Sequence, residues 1–167
     1  PGTPIMTNPD EIEPIEIGTW EQLRSGGDIA ILAVGSMVEP ALKAAKLLEE
    51  KGVSSEIINA RFVKPLDEKM LDELIARHDR WLTVEENVVA GGFGSAVLES
   101  LHLRMSEDAD AVRVRLMGIP DRFTEHGTRE EVLVDVHLSA ADIVETAIGF
   151  LSESHPDTIN AVPAPLS

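Results

Sequence analysis

Residues 28–59 read DIAILAVGSMVEPALKAAKLLEEKGVSSEIIN, and this stretch decides the fold class. Asp28 to Val34 is almost continuously apolar after its first residue, as a strand buried on both faces requires. Ala41, Leu42, Ala45 and Leu48 then recur at helical spacing until Gly52. Ser36 with Glu39 three residues later reads as a capping box at the helix start. A second short run, Ser55 to Asn59, completes a strand–helix–strand unit. A helical crossover of this length is what joins parallel strands.

Working outward, the same alternation continues. Trp81 to Val84 and Val112 to Met117 read as two further inner strands, bounded by charged residues or glycine. A second helix is expected from about Asp67 to Arg77, burying Met70, Leu71, Leu74 and Ile75. A third begins near Gly92. Thr128 with Glu131, and Ser139 with Asp142, announce two closing helices by a capping residue and an acidic partner in the first turn. Ile15 to Ile17 offers an edge strand, limited by Pro14 and Gly18. The expected fold is a three-layer α/β domain with helices on both faces of a mostly parallel, five-stranded sheet that carries one antiparallel edge strand. Residues 1–14, with four prolines, read as an extended linker, 15–151 as the domain, and 152–167 as a flexible tail.

Composition narrows the function classes. Of 167 residues, 43% are apolar and 26% charged, which suits one globular domain. Thirty acidic against fourteen basic side chains give a formal charge of −16, which repels nucleic acid and anionic lipid. The sequence has no cysteine, so disulfides and thiolate chemistry are out of reach. No apolar run is long enough to span a membrane and no signal peptide is visible. Starting at Pro1-Gly2 rather than Met points to a processed or excised chain, with chemistry encoded upstream.

Ligands of open parallel sheets bind beyond the carboxyl ends of the strands. The loops there are Gly35-Ser36, Ala60 to Pro65, Glu85 to Gly94, and Gly118 to Phe123. Gly91, Gly92 and Gly94 precede a helix whose backbone NH groups could cradle an anion. Their spacing matches no nucleotide motif, and Glu85 and Glu86 share the loop, so a tight turn with close helix packing is the better reading. Arg61 follows an inner strand directly. It can present a planar fork to phosphate or carboxylate, or form a structural ion pair, and the residues alone leave both open. His126, flanked by Glu125 and Gly127, lacks a nucleophile or metal partner. His78, His102, His137 and His155 are scattered, with no metal-ligand spacing, and read as surface or capping residues. No complete active site assembles.

Three segments carry a resemblance: ARFVKPLDEKML at 60–71, TVEENVVAGGFGSAVLE at 83–99 and GIPDRFTEHGTREEVL at 118–133. Over about residues 17–150 the chain resembles the C-terminal domain of the 1-deoxy-D-xylulose-5-phosphate synthases, in the transketolase C-terminal domain superfamily. The resemblance implies a transferase using thiamine diphosphate and Mg2+ to condense pyruvate with glyceraldehyde 3-phosphate, losing CO2. It implies a cytoplasmic bacterial homodimer whose N-terminal and middle domains hold the cofactor. This domain alone would then be inactive and bind neither cofactor nor metal. Arg61 matches the family arginine expected at the substrate phosphate. His126 is not assigned to the site, and the Gly91–Gly94 loop is assigned to packing. A transketolase or 2-oxo acid dehydrogenase beta subunit, in which this domain serves dimerisation or docking, is the related alternative. A free-standing small-anion or protein-binding module is the unrelated one.

Overall fold

The computed structural model describes residues 14–104, 112–121 and 126–153. The expected linker and tail lie outside these, except for Pro14, Ser152 and Glu153. Elements follow in the order β1 (Glu21–Arg24), β2 (Ile29–Ala33), α1 (Val38–Glu50), β3 (Ser55–Asn59), α2 (Glu68–Ile75), β4 (Arg80–Val88), α3 (Phe93–Arg104), β5 (Arg113–Ile119), α4 (Arg129–Asp135) and α5 (Ala140–Ser152). The five strands form one sheet in the order β1-β3-β2-β4-β5. β1 runs antiparallel to β3, and the other neighbours are parallel.

The alternation of side chains along each strand divides the core. On β2, Ile29, Ile31 and Ala33 pack with α1 and α5, joined by Ile57, Leu82, Val84 and Met117. Ala30 and Leu32 face the other way, with Ile58, Trp81, Leu71, Leu74, Phe93 and Val97, so that α2 and α3 cover the second face. Every residue of β2 is buried, which is why its sequence reads as a continuous apolar run. Trp20 seals the second face, its ring meeting Phe93 edge-on at 5.7 Å between centroids.

Several expectations shift. The edge strand is Glu21–Arg24 and not Ile15–Ile17, whose two isoleucines are 55% and 75% exposed. Pairing with the edge of β3 selects this polar segment, and the backbone ladder requires no apolar side chain there. Ser36 does not cap the first helix: it lies in a short 3₁₀ turn, Gly35–Met37, and α1 begins at Val38 without a side-chain cap. By contrast, Asp67 caps α2 through Met70 N, and Thr128 and Ser139 form full capping boxes with Glu131 and Asp142. β4 continues to Val88, past a register irregularity after Val84, so Glu85 and Glu86 are strand residues and not loop residues. His78 is buried and not at the surface: its Nε2 lies 2.5 Å from Glu56 Oε2, and Arg77 Nη2 holds the other oxygen of Glu56 at 2.8 Å.

Candidate functional site at the carboxyl end of the sheet

The strand ends converge on a cleft of about 250 Å³ lined by the end of β4, the loops after β2 and β3 and the start of α3, among them Gly35, Val63, Glu86, Asn87 and Phe93. Its floor is set by Glu85, which is 2% exposed. The Glu85 carboxylate accepts from Phe93 N at 2.7 Å and Gly94 N at 2.9 Å. These are the free NH groups at the start of α3, where the helix dipole favours negative charge. The anion position beneath the glycine-rich loop is therefore filled by the protein's own carboxylate. Backbone space explains the glycines. A Cβ on Gly92 would collide with Glu85 Oε2 and sit 2.5 Å from Val88 O, and one on Gly94 would sit 2.6 Å from Thr83 Oγ1. Gly92 and Gly94 are thus positions of close packing.

Glu86 points to the rim. It accepts from Arg129 Nη2 at 2.8 Å and Nε at 3.2 Å, and from the Ser36 hydroxyl. Arg129 at the start of α4 thus joins the loop after β2 to the end of β4. The Arg129 guanidinium, with help from Ser36, holds the Glu86 carboxyl below the usual glutamate value against the opposing effect of burial. The pairing raises Arg129 in turn. Sequence reading missed this network because its three members are 36, 86 and 129. The one available signal was an unexplained pair of glutamates next to a strand end.

Arg61 lies at the same end of the sheet, just beyond β3, with its side chain turned toward the chain leading into β1. Nε donates to Thr19 O at 3.2 Å, and Nη2 donates to Thr19 Oγ1 at 3.1 Å and Trp20 O at 3.3 Å. Nη1 is 4.0 Å from Glu21 Oε2. Three of its five N–H groups have partners in these bonds, and those on Nη1 face a more distant carboxylate. The structure does not bring Arg61 together with Glu86 and Arg129 in one hydrogen-bonded network. His126 is exposed beside Glu131 and Asp135. Arg122 and Phe123 lie outside the described residues, as does His155.

Residues 18–143 match the family described as transketolase, C-terminal domain. The chain belongs to that family. Among curated members, the 1-deoxy-D-xylulose-5-phosphate synthase of Magnetococcus marinus is 48% identical over 145 residues, covering 87% of this chain and 23% of that protein. The synthase of a Geobacillus strain is 47% identical over 136 residues, covering 81% and 21%. The chain thus spans less than a quarter of the length of these relatives. Among solved structures, a split-gene transketolase, an inactive beta4 tetramer, superposes with a TM-score of 0.78 at 32% identity, over 90% of this chain and 47% of that one. A transketolase of Pichia stipitis gives a TM-score of 0.56 at 21% identity, covering 81% and 18%, and shares the fold.

Proposed function

We propose that the chain is the C-terminal domain of a thiamine-diphosphate-dependent synthase that condenses pyruvate with glyceraldehyde 3-phosphate to 1-deoxy-D-xylulose 5-phosphate, releasing CO2. The observation that carries this reading is the 48% identity to a synthase of that name across nearly the whole domain, against 32% to the split-gene transketolase. The domain acts as a scaffold docked on N-terminal and middle domains of the same polypeptide, in a cytoplasmic homodimer. Those domains hold thiamine diphosphate and Mg2+, and the domain alone is inactive.

The described residues offer the diphosphate and its metal no fit at the cleft. The NH groups at the start of α3 are taken by Glu85, and the described residues bring no three His, Cys, Asp or Glu side chains together as a cation site. The contribution we assign to substrate is Arg61, through its Nη1 N–H groups, to the phosphate of the aldehyde. Two observations support it: its place at a strand end, and donors left over after the Thr19 and Trp20 bonds.

The test expresses the full open reading frame containing this chain and supplies pyruvate with glyceraldehyde 3-phosphate. The expected result is CO2 release matched by 1-deoxy-D-xylulose 5-phosphate. Two-carbon transfer between sugar phosphates without CO2 would replace this reading with a transketolase. In the same enzyme, Arg61→Ala should raise KM for the phosphorylated aldehyde by about tenfold, as expected for one charge-assisted contact, while leaving KM for pyruvate unchanged. Equal losses for both substrates would reduce Arg61 to an anchor for Thr19 and Trp20.

A further inference from the structure

At the amino end of the sheet, opposite the cleft, three arginines meet on the face covered by α5. Arg80 and Arg113 are direct register partners on β4 and β5, and Arg115 lies two residues further along the same face. The Arg113 and Arg115 guanidinium carbons lie over the Phe150 ring, 5.1 and 5.0 Å from its centre, a cation–π contact for each. Glu153, the residue after α5, bridges their edges: Oε2 accepts from Arg113 Nη2 at 2.6 Å and Oε1 from Arg115 Nη2 at 2.7 Å. Arg80 Nη2 reaches the Glu153 carbonyl at 3.3 Å.

Among the described residues, charge does not balance at this corner: three guanidiniums share one carboxylate, and the C-terminal end of α5 adds only about half a negative charge. Donors do not balance either. Arg80 Nε and Arg113 Nη1 are buried atoms without an acceptor among the described residues, a costly condition for a charged donor. In a chain of net charge −16, the described residues gather three guanidiniums and two buried N–H donors without an acceptor in one place. A carboxylate offers two oxygens, enough for two of the arginines. A tetrahedral oxyanion offers four and a second negative charge, enough for all three.

We propose that Arg80, Arg113 and Arg115 form a binding site for a small phosphate-class oxyanion, with Glu153 as the internal occupant that the ligand displaces. Glu153 has an extended backbone just past the helix, and its side chain is 39% exposed, so it can swing to solvent without disturbing the core. Phe150 keeps Arg113 and Arg115 in place when it does. The site shares no residue with the cleft or with Arg61, and the proposal stands apart from the functional reading above.

The experiment follows the arginine Nε–H resonances of the chain during titration with sodium phosphate, with sodium chloride at matched ionic strength as the control. Glycerol 3-phosphate in a parallel arm distinguishes a phosphomonoester from the free ion, the tighter binder naming the source. Saturable shifts at Arg80 and Arg113 are expected with phosphate and not with chloride. Glu153→Gln, which removes the competing charge, should tighten binding by about tenfold. Arg80→Gln, which among the described residues gives up one long hydrogen bond, should weaken it by a similar factor, and Lys46→Gln, on the exposed face of α1, should leave it unchanged. Identical responses to phosphate and chloride, or equal affinity in wild type and Glu153→Gln, would overturn the proposal.

Discussion

Replacing Glu85 with alanine tests the claim that α3 starts on a built-in anion. The substitution removes two hydrogen bonds from a buried carboxylate, at 2.7 and 2.9 Å, and strands two backbone NH groups where water does not reach. Each charged hydrogen bond is worth about 1.5–3 kcal/mol. The relaxation of a helix end returns part of that, so the expected loss is about 4 kcal/mol. For a domain of this size 1 kcal/mol moves Tm by roughly 3 °C, giving a drop of about 12 °C. Glu85→Gln keeps one acceptor oxygen and should lose about half as much. Urea unfolding of the three proteins supplies the free energies, and amide exchange at Phe93 and Gly94 locates the effect. These two amides should lose protection in Glu85→Ala ahead of those in β2, whose residues are fully buried. A loss below about 1 kcal/mol, or unchanged protection at Phe93 and Gly94, would refute the reasoning, since that is the ordinary range for surface substitutions.

Two other perturbations follow from the same end of the sheet. Gly92→Ala should destabilise by about 2–3 kcal/mol in urea unfolding because its Cβ would press on Glu85 and on Val88 O, whereas Gly27→Ala, which meets nothing within 4 Å, should cost less than about 1 kcal/mol. Arg129→Ala should show a pH-dependent deficit. Glu86 has a lowered folded-state pKa, so its contribution is fully present above the unfolded value near 4.5 and is lost as pH falls through the folded value. The deficit of the variant, below about 1 kcal/mol for so solvated a pair, should therefore be seen at neutral pH and vanish in stability curves taken well below pH 4.

Residues 28–59 announced the central strands and their crossover because β2 is buried on both faces and α1 on one, so the apolar pattern is dictated by the core itself. The capping boxes at Thr128 and Ser139 were equally readable, being local chemistry within four residues. The features that escaped depend on distant partners. β1 is polar because only its backbone is needed at the sheet edge. Ser36 carries a capping pattern, yet its hydroxyl goes to Glu86, fifty residues away. His78 looks like any solvated histidine until β3 brings Glu56 beneath it. The purpose of Glu85 emerges only when β4 is seen to run on past Val84 and fold its end under α3. Arg61 was legible as a residue at a strand end, whereas its bonds to Thr19 and Trp20 span more than forty positions.

The reversed direction of β1 fixes where the polypeptide arrives. Glu21 opens the strand opposite Asn59, the last residue of β3, so the segment leading into the domain sits at the carboxyl end of the sheet. There Trp20 N is fastened to Asp67 Oδ2 at 2.7 Å, Trp20 Nε1 to Phe62 O at 2.8 Å, and Thr19 to Arg61. A pull or rotation on the incoming backbone would therefore be felt first by the loop from Ala60 to Asp67, before any of it reached the hydrophobic interior. The entering segment and the loop after β3 are mechanically one part.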